Sequence, residues 1–239
     1  MNLDGARVLV LGGTSGIGLA TAALAAQQGA KVVVASSRAQ SVERALTTLP
    51  AGTSGEVVDL TDPDAARALV ARVGAIDHLV FTAGDALTLS PVADMDIDAA
   101  RSAFGLRFFG AFAAVGAAAA QLRPGGSVVL TTGIAAFRPG PGWSVAASLC
   151  GAVISLTRAL AVELAPVRVN AVSPGYIRSP LWDGMDDATR AAFYAQVGTA
   201  VPLGRVGEVD EAAQAYLHLM TSTYATGTVI TVDGGSLLV

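Results

Sequence analysis

A glycine-rich turn near the start of the chain has the residue types and the spacing that bind phosphate. The spacing is Gly12-x-x-x-Gly16-x-Gly18; it follows an apolar run from Val8 to Leu11 and opens a helical pattern rich in Ala and Leu. Where a parallel strand leads into a helix, free backbone N–H groups and the helix dipole attract an anion. Glycines there allow the tight turn and the close approach of the backbone to a pyrophosphate. We predict a dinucleotide-phosphate site; the alternative is a glycine-rich turn without a ligand.

The residues at the end of the second predicted strand indicate whether the site accepts the adenosine ribose of NAD or that of NADP. In dinucleotide-binding folds an acidic residue at this place binds the 2′-hydroxyl of NAD, whereas a nearby arginine accommodates the 2′-phosphate of NADP. Here the tip carries Ser36, Ser37 and Arg38, and it has no carboxylate. The pattern favours NADP(H) over NAD(H), unless Arg38 is only the solvated first residue of the next helix.

Two further strand ends are predicted to contact the nucleotide. Asp59-Leu60 follows the third strand, and its carboxylate is interpreted either as a hydrogen-bonding group at the adenine edge or as a helix cap. Ala83-Gly84 ends the fourth strand, where small residues let a cofactor pass close to the backbone. No metal site is predicted.

Strand and helix patterns that alternate along the whole chain must position these turns. Such alternation predicts an α/β fold: a doubly wound parallel sheet with helices on both faces. No linker or repeat interrupts it, so we predict one domain over residues 1–239. The predicted strands are 7–11, 31–35, 56–58, 78–81, 127–131, 167–171 and 228–232. The predicted helices are 16–28, 39–49, a helix after Thr61-Asp62-Pro63 to about 73, 96–122, 142–164 and 209–220, with a partly helical excursion over 180–197.

Composition excludes several classes of function. The net charge is −4 without any basic run, which argues against nucleic acid as a partner. No apolar run reaches the ~18 residues of a membrane span, so no membrane partner is predicted. The start, Met1 to Asp4, lacks the charged and apolar regions of a signal peptide. A single cysteine, Cys150, forms no internal disulfide and fits a cytoplasmic location.

Several motifs together resemble those of the short-chain dehydrogenase/reductase family, and the resemblance covers essentially the whole chain. It rests on the glycine turn, Asp59 and Ala83-Gly84, and on the later segments Arg168-Val169-Asn170-Ala171-Val172-Ser173-Pro174-Gly175, Pro202-Leu203-Gly204-Arg205 and 227–235. The resemblance implies a single-domain Rossmann fold with about seven strands and a nicotinamide cofactor. It also implies a homodimer or homotetramer built partly on the two long helices, which agrees with the high mean hydropathy of +0.55.

By similarity, a segment after the sixth strand is expected to flank the nicotinamide, with Ser179 bonding its carboxamide. The full set of predicted cofactor-binding residues is Gly12, Thr14, Ser15, Gly16, Ile17, Gly18, Ser36, Ser37, Arg38, Asp59, Leu60, Ala83, Gly84, Pro174, Gly175, Ile177 and Ser179.

The residues that family members use for proton transfer are missing. That set is an Asn, a Ser and a Tyr-x-x-x-Lys pair, in which the Lys lowers a tyrosine pKa that is otherwise near ~10. Counted without gaps from the fifth strand, Gly133 stands at the Ser position, Ala146 at the Tyr position and Cys150 at the Lys position. Arg107 stands where the long helix usually carries the Asn, and Lys31 is the only lysine in the chain. The resemblance therefore implies an atypical member.

Four candidate catalytic residues, Tyr176, Arg107, Thr132 and Ser144, and some of their neighbours could replace the missing chemistry. Arg107 is interpreted either as a fixed cation that bonds the ribose or an anionic substrate, or as a subunit contact. Tyr176 is either a proton donor or part of the pocket wall. Thr132 and Ser144, like the neighbouring Thr131, offer hydroxyls that could orient a ligand, and Trp143 a flat apolar wall. Cys150 is reactive only if a neighbour such as Arg107 lowers its pKa, and otherwise an inert core residue.

Three functions fit this pattern. The first is an NADP-dependent reductase of an activated C=N or C=O group, since such substrates need less acid help. The second is an inactive family member that binds NADP as a sensor or scaffold. The third is a non-redox enzyme, such as a cyclase or lyase, that reuses the pocket. The loop 180–202 is interpreted as a cover for a small apolar substrate, because it carries Leu181, Trp182, Met185 and Phe193, or as a subunit-contact arm.

Overall fold

A parallel sheet of seven strands forms the centre of the molecule. The computed structural model of the chain describes residues 3–87 and 89–239; Met1 and Asn2 of the predicted non-signal start lie outside this range, as does Thr88. The strands of the chain are β1 (Arg7–Leu11), β2 (Lys31–Ser36), β3 (Ser54–Val57), β4 (Ile76–Phe81), β5 (Leu122–Thr131), β6 (Arg168–Pro174), β7 (Ile177–Arg178), β8 (Gly207–Glu208) and β9 (Val229–Val232). The large sheet has the order β3-β2-β1-β4-β5-β6-β9, and β7 pairs with β8 in a separate small sheet. The predicted doubly wound α/β fold is confirmed.

Helices cover both faces of the sheet, because the inner strands are runs of Val, Leu and Ile that are apolar on both sides. The helices are α1 (Gly16–Gln27), α2 (Ala39–Thr48), α3 (Pro63–Val73), α4 (Ile97–Phe104), α5 (Ala111–Ala118), α6 (Ser144–Glu163), α7 (Asp187–Ala200) and α8 (Val209–Thr221). The core on one face joins the sheet to α1, α2 and α8. The core on the other face joins it to α3, α5 and α6.

The single long helix predicted over 96–122 is wrong. The chain forms α4, then a π-helical segment, Gly105–Gly110, and then α5, which ends at Ala118. A π-turn fits an extra residue into a helix, and such turns are frequent at functional sites. Glycine is required at its end, since a Cβ on Gly110 would lie 2.7 Å from the carbonyl oxygen of Leu60. Other boundaries move by a few residues; the largest shift is in β5, which starts at Leu122 rather than at residue 127.

One helix among the described residues, the 20-residue α6, meets a length-and-composition test for a membrane span, although polar residues such as Arg158 interrupt its apolar sequence. The helix nevertheless packs on the sheet, and Leu149, Val153 and Leu160 belong to the main core. We therefore interpret α6 as a core helix of the domain.

The topology creates a crevice at the carboxyl ends of the strands. From β1 the chain proceeds outward through β2 and β3, and it then returns to β4 on the other side of β1. The loops after β1 and β4 consequently leave in opposite directions, which is the point where doubly wound sheets bind their ligands. The excursion after β6 is held over this edge by the β7–β8 pair and by α7.

Candidate functional site

A cleft of about 680 Å³ lies at the carboxyl edge of the sheet. All of the predicted cofactor-binding residues line it: Gly12, Thr14, Ser15, Gly16, Ile17, Gly18, Ser36, Ser37, Arg38, Asp59, Leu60, Ala83, Gly84, Pro174, Gly175, Ile177 and Ser179. Of the four candidate catalytic residues, Tyr176, Arg107 and Thr132 also line the cleft. Ser144 does not belong to the described lining and is exposed at the first turn of α6.

The β1–α1 turn has the geometry that phosphate binding requires. Gly12 and Gly16 have positive φ angles of 87° and 51°, which favour glycine. A Cβ on Gly12 would lie 2.4 Å from the backbone nitrogen of Ala83, so the turn packs directly on the loop after β4. Ser15 precedes α1 without making a side-chain cap, and the first turn of the helix has no acidic residue. The helix N-terminus therefore keeps its N–H donors and positive dipole end for an anion.

The end of β2 presents an arginine and two hydroxyls to the cleft. Arg38 is exposed, and its guanidinium forms no ion pair or hydrogen bond within the residues that the structure describes. Ser36 and Ser37 flank it at the same edge. Arg38 lines the cleft, which its interpretation as a merely solvated helix residue does not require. The arrangement therefore fits the interpretation that Arg38 accommodates a 2′-phosphate.

Asp59 is not the cap of α3. Asp62 performs that role by accepting a hydrogen bond of 2.8 Å from the backbone nitrogen of Asp64. Asp59 instead accepts hydrogen bonds from the hydroxyl and the backbone nitrogen of Thr61, at 2.7 and 2.9 Å. The hydroxyl bond is the larger cause of the lowered pKa of Asp59. Both bonds use one carboxylate oxygen, and the second oxygen has no partner in the described chain.

The segment after β6 closes the other end of the cleft. Gly175 allows a close approach, since a Cβ there would lie 2.7 Å from the Cα of Asp233. A Cβ on Gly16 would lie 3.3 Å from the ring of Pro180, so the start of the 180–202 loop lies against the phosphate turn. The buried indole of Trp182 donates a hydrogen bond of 3.0 Å to the carbonyl oxygen of Ile177, which ties the start of the loop to β7.

Gly133, Ala146 and Cys150, which the sequence analysis aligned with the family's proton-transfer residues, all line the cleft. A Cβ on Gly133 would lie 3.3 Å from the sulfur of Cys150. The hydroxyl of Thr132 donates a hydrogen bond of 2.8 Å to the carbonyl oxygen of Cys150, so it braces α6 against β5. Lys31 lies at the opposite end of β2, exposed.

Burial is the main influence on the Cys150 thiol and raises its pKa. The hydrogen bond from Thr132 and the charge of Arg107 act in the opposite direction without reversing the shift. Since the thiolate is the nucleophile, this environment supports the interpretation of Cys150 as an inert residue of the wall.

Arg107 projects from the π-helical segment into the cleft. Its guanidinium donates a hydrogen bond to the carbonyl oxygen of Asp85. A Cβ on Gly84 would lie 2.5 Å from the guanidinium carbon, so the group lies flat against the end of the β4 loop. Burial lowers the pKa of Arg107, although a guanidinium stays charged at any ordinary pH.

Aromatic rings form the wall where the cleft widens beyond the cofactor end. The Tyr176 ring is edge-on to Trp143, with centroids 6.4 Å apart, and stacks near Trp182 at 6.3 Å. Phe193 of α7 meets Tyr176 edge-on at 5.8 Å. Leu87 and Leu106, which the sequence did not single out, add apolar lining. These side chains give this part of the cleft a flat, largely apolar wall.

Sequence reasoning missed the buried Tyr216. Its hydroxyl lies 2.7 Å from that of Thr131, which donates a further hydrogen bond of 2.7 Å to the carbonyl oxygen of Phe81. Thr131 was a candidate ligand-orienting hydroxyl, but both of its hydrogen-bonding roles are used within the protein. No local signal marks Tyr216, because its partner lies 85 positions away in the chain.

Comparison with known proteins identifies the family to which this fold belongs. A family model described as enoyl-(acyl carrier protein) reductase matches residues 12–236. The short-chain dehydrogenase/reductase malC from Malbranchea aurantiaca is 35% identical over 254 residues, which cover 99% of this chain and 96% of malC. The chain belongs to the short-chain dehydrogenase/reductase family.

Solved structures of this family superpose closely on the chain. MalC Reductase/Diels-Alderase from Malbranchea aurantiaca has a TM-score of 0.92 and 32% identity, and the match covers 99% of this chain and 98% of that one. An NADPH-bound short chain oxidoreductase from Pseudomonas aeruginosa PAO1, which contains an atypical catalytic center, has a TM-score of 0.90 and 32% identity over 97% of both chains. A small-chain dehydrogenase in complex with NADPH has a TM-score of 0.84 and 34% identity over 99% of this chain and 100% of that one. The single-domain Rossmann fold of the short-chain dehydrogenases/reductases is thus shared over the full length.

Proposed function

We propose that this short-chain dehydrogenase/reductase is an NADP(H)-dependent oxidoreductase with a non-standard active site. It reduces an activated C=N or C=O group by hydride transfer. The observation that carries the proposal is the continuity of one cleft: the complete nucleotide-binding edge leads directly into a chamber lined by Arg107, Cys150 and aromatic rings.

The cofactor end supports NADPH over NADH. Two solved neighbours hold NADPH, and this chain has the donors that the nucleotide needs. The N-terminus of α1 receives the pyrophosphate, Ser37 and Arg38 receive the 2′-phosphate, and the free oxygen of Asp59 accepts from the adenine edge. Ser179 bonds the nicotinamide carboxamide from the other end of the cleft. When bound, the reduced nicotinamide supplies the hydride.

The non-standard site decides which substrates react. The chain's only lysine is Lys31, at the far end of β2, so no Tyr-x-x-x-Lys pair donates a proton. An ordinary ketone gains little from this cleft, because the alkoxide that forms on hydride addition needs a matched acid. A group that is already electron-poor needs only positioning, which can lower a barrier by several kcal/mol. Tyr176 remains in reach as a late proton donor.

The substrate is small and apolar, and the loop over 180–202 covers it. Pro180 against Gly16 and the indole of Trp182 seat the loop at the mouth of the cleft. The protein acts as a homodimer or homotetramer; Phe109 and Phe112 are 60% and 49% exposed on the π-segment and α5, where a second copy covers them. A cytoplasmic location remains a prediction from the single cysteine.

A non-redox role is the second candidate. The edge-on pair Trp143–Tyr176 forms an apolar wall that can hold a reactant in one folded conformation. The solved neighbour at 32% identity is a reductase/Diels-Alderase, so the same fold serves in a protein with a redox and a non-redox name.

A substrate panel tests these functions. Purified protein is mixed with NADPH and an iminium ion, an activated carbonyl compound or a simple ketone, and NADPH absorbance and products are followed together. We expect NADPH oxidation with an activated compound and little with the ketone. Product formation without NADPH oxidation would contradict the reductase function and support the non-redox function. NADPH binding without turnover of any compound would support a function as an NADP-binding sensor or scaffold.

A further inference from the structure

The guanidinium of Arg107 is a cation in the cleft without a matching anion. Within residues 3–87 and 89–239 it forms no ion pair, whereas Arg178, Arg190 and Arg205 each pair with a carboxylate. In the described part of the chain its one acceptor is the carbonyl oxygen of Asp85. The carboxylate of Asp85 is exposed and acts on Arg107 only at longer range.

A guanidinium has five N–H donors in a rigid fork, so most of the donors of Arg107 remain open to the cleft. Burial raises the pKa of the Cys150 thiol, which also lines the cleft, and so favours its neutral form over an anionic partner for Arg107. A half-buried cation with open donors is costly unless a ligand brings an acceptor. The acceptor must reach the space between Gly84 and Cys150, beside the chamber with the aromatic wall.

We infer that Arg107 is an oxyanion donor and that the substrate is a conjugated carbonyl compound, such as an enone. This inference rests on the proposed hydride transfer to an activated carbonyl compound, and it places the reduced bond in the C=C group conjugated to the carbonyl rather than in the C=O group itself. An iminium ion is disfavoured, since it would place a second positive charge beside a cation that nothing neutralises.

The electron balance of this reaction explains why the missing tyrosine is tolerated. The hydride adds to the β-carbon of the enone, and the electron pair of the C=C bond moves to form the C=C–O⁻ of an enolate. The negative oxygen accepts hydrogen bonds from Arg107, so no acid is needed during hydride transfer. A solvent proton then adds to the α-carbon, which restores the carbonyl group and completes the reduction of the C=C bond.

A dye that forms an oxyanion tests the site without any turnover. Para-nitrophenol is bound to the protein, and the absorbance of its phenolate form is followed against pH. We expect the wild type to lower the pKa of the bound dye, and Arg107→Gln to abolish that shift. Arg101→Gln is the matched control, since Arg101 is an exposed arginine of α4 that pairs with Asp98. If the dye bound to Arg107→Gln has the same pKa as the dye bound to the wild type, the inference is overturned.

A second measurement compares cyclohexenone with an N-methyl dihydroisoquinolinium ion as substrates with NADPH. We expect Arg107→Gln to lower kcat for the enone by about 10²-fold, the effect of removing one oxyanion donor. The same substitution should leave the iminium ion unaffected or improve its turnover, and Arg107→Lys should retain part of the enone activity. Reduction of the iminium ion alone overturns the inference and leaves the proposed function intact. Reduction of neither compound, nor of any other activated compound, overturns the proposed function itself.

Discussion

The guanidinium of Arg107 and the backbone carbonyl of Asp85, two residues that line the cleft, are joined by a hydrogen bond. Arg107 belongs to a π-helical segment. Asp85 belongs to the loop after β4 and follows, by two residues, Ala83, which contacts Gly12 of the glycine turn. The bond therefore connects the nucleotide-binding edge to the chamber where a substrate must lie. It also gives the long arginine side chain a fixed direction, which an exposed surface arginine lacks.

The packing of Gly84 under Arg107 predicts that Gly84→Ala acts on the arginine. The new Cβ would lie 2.5 Å from the guanidinium carbon, so the guanidinium must move. We expect the variant to lose the dye pKa shift and most of the enone activity while it remains folded. Gly116→Ala is the control, because Gly116 lies within α5 and its Cβ would meet nothing within 4 Å. The control should keep full activity and gain about 0.5–1 kcal/mol of stability.

The buried environment of Cys150 predicts slow alkylation. Its raised pKa leaves little thiolate at neutral pH, and the cleft restricts access. We expect iodoacetamide at pH of about 8 to react with the native protein at least tenfold more slowly than with the urea-unfolded chain. Alkylation of the native protein at the unfolded rate would instead support a reactive thiol.

The buried His78 predicts a loss of stability in weak acid. Its ring nitrogen Nδ1 lies 2.9 Å from the Ser127 hydroxyl, and burial, with a smaller contribution from the charge of Arg168, lowers its pKa to about 4. Asp77 opposes the shift. An unfolded histidine titrates near ~6.5, so between about pH 6.5 and pH 4 the unfolded state binds a proton that the folded state does not. The free energy of unfolding therefore decreases as the pH falls, by up to about 3 kcal/mol.

Urea unfolding at about pH 7 and pH 4.5 measures this loss. We expect His78→Gln to be less stable at neutral pH and to lose less stability than the wild type on acidification. His218→Gln, at the exposed second histidine, is the control and should follow the wild type. Equal losses in wild type and His78→Gln would assign the acid sensitivity to other groups.

The fold was predictable because its signals are local. The apolar runs of the inner strands and the glycine turn of Gly12, Gly16 and Gly18 specify strand, turn and helix without reference to the rest of the chain. Parallel strands then bring their carboxyl ends to one edge, which is why the predicted cofactor residues meet in one cleft. The resemblance to the family added the segment around Gly175 and Ser179.

The catalytic end was less predictable, because its arrangement depends on contacts between distant residues. An alanine-rich helical pattern gives no warning of a π-turn, and the turn at Gly105–Gly110 depends on packing against Leu60. Ser144 was expected near the position of the missing tyrosine because it is only two residues from Ala146 in the sequence. In the structure it lies in the first turn of α6 and its side chain is exposed.

The central claim is that the cleft binds NADPH through Arg38 and the glycine turn, and calorimetric titration with NADPH and NADH tests it most directly. We expect NADPH to bind more tightly than NADH, and Arg38→Ala to weaken NADPH binding at least tenfold with little effect on NADH. Arg44→Ala, at an exposed arginine of α2 outside the cleft, should bind both nucleotides as the wild type does. Absence of binding for both nucleotides would contradict the account, and with it the assignment of this chain as an oxidoreductase.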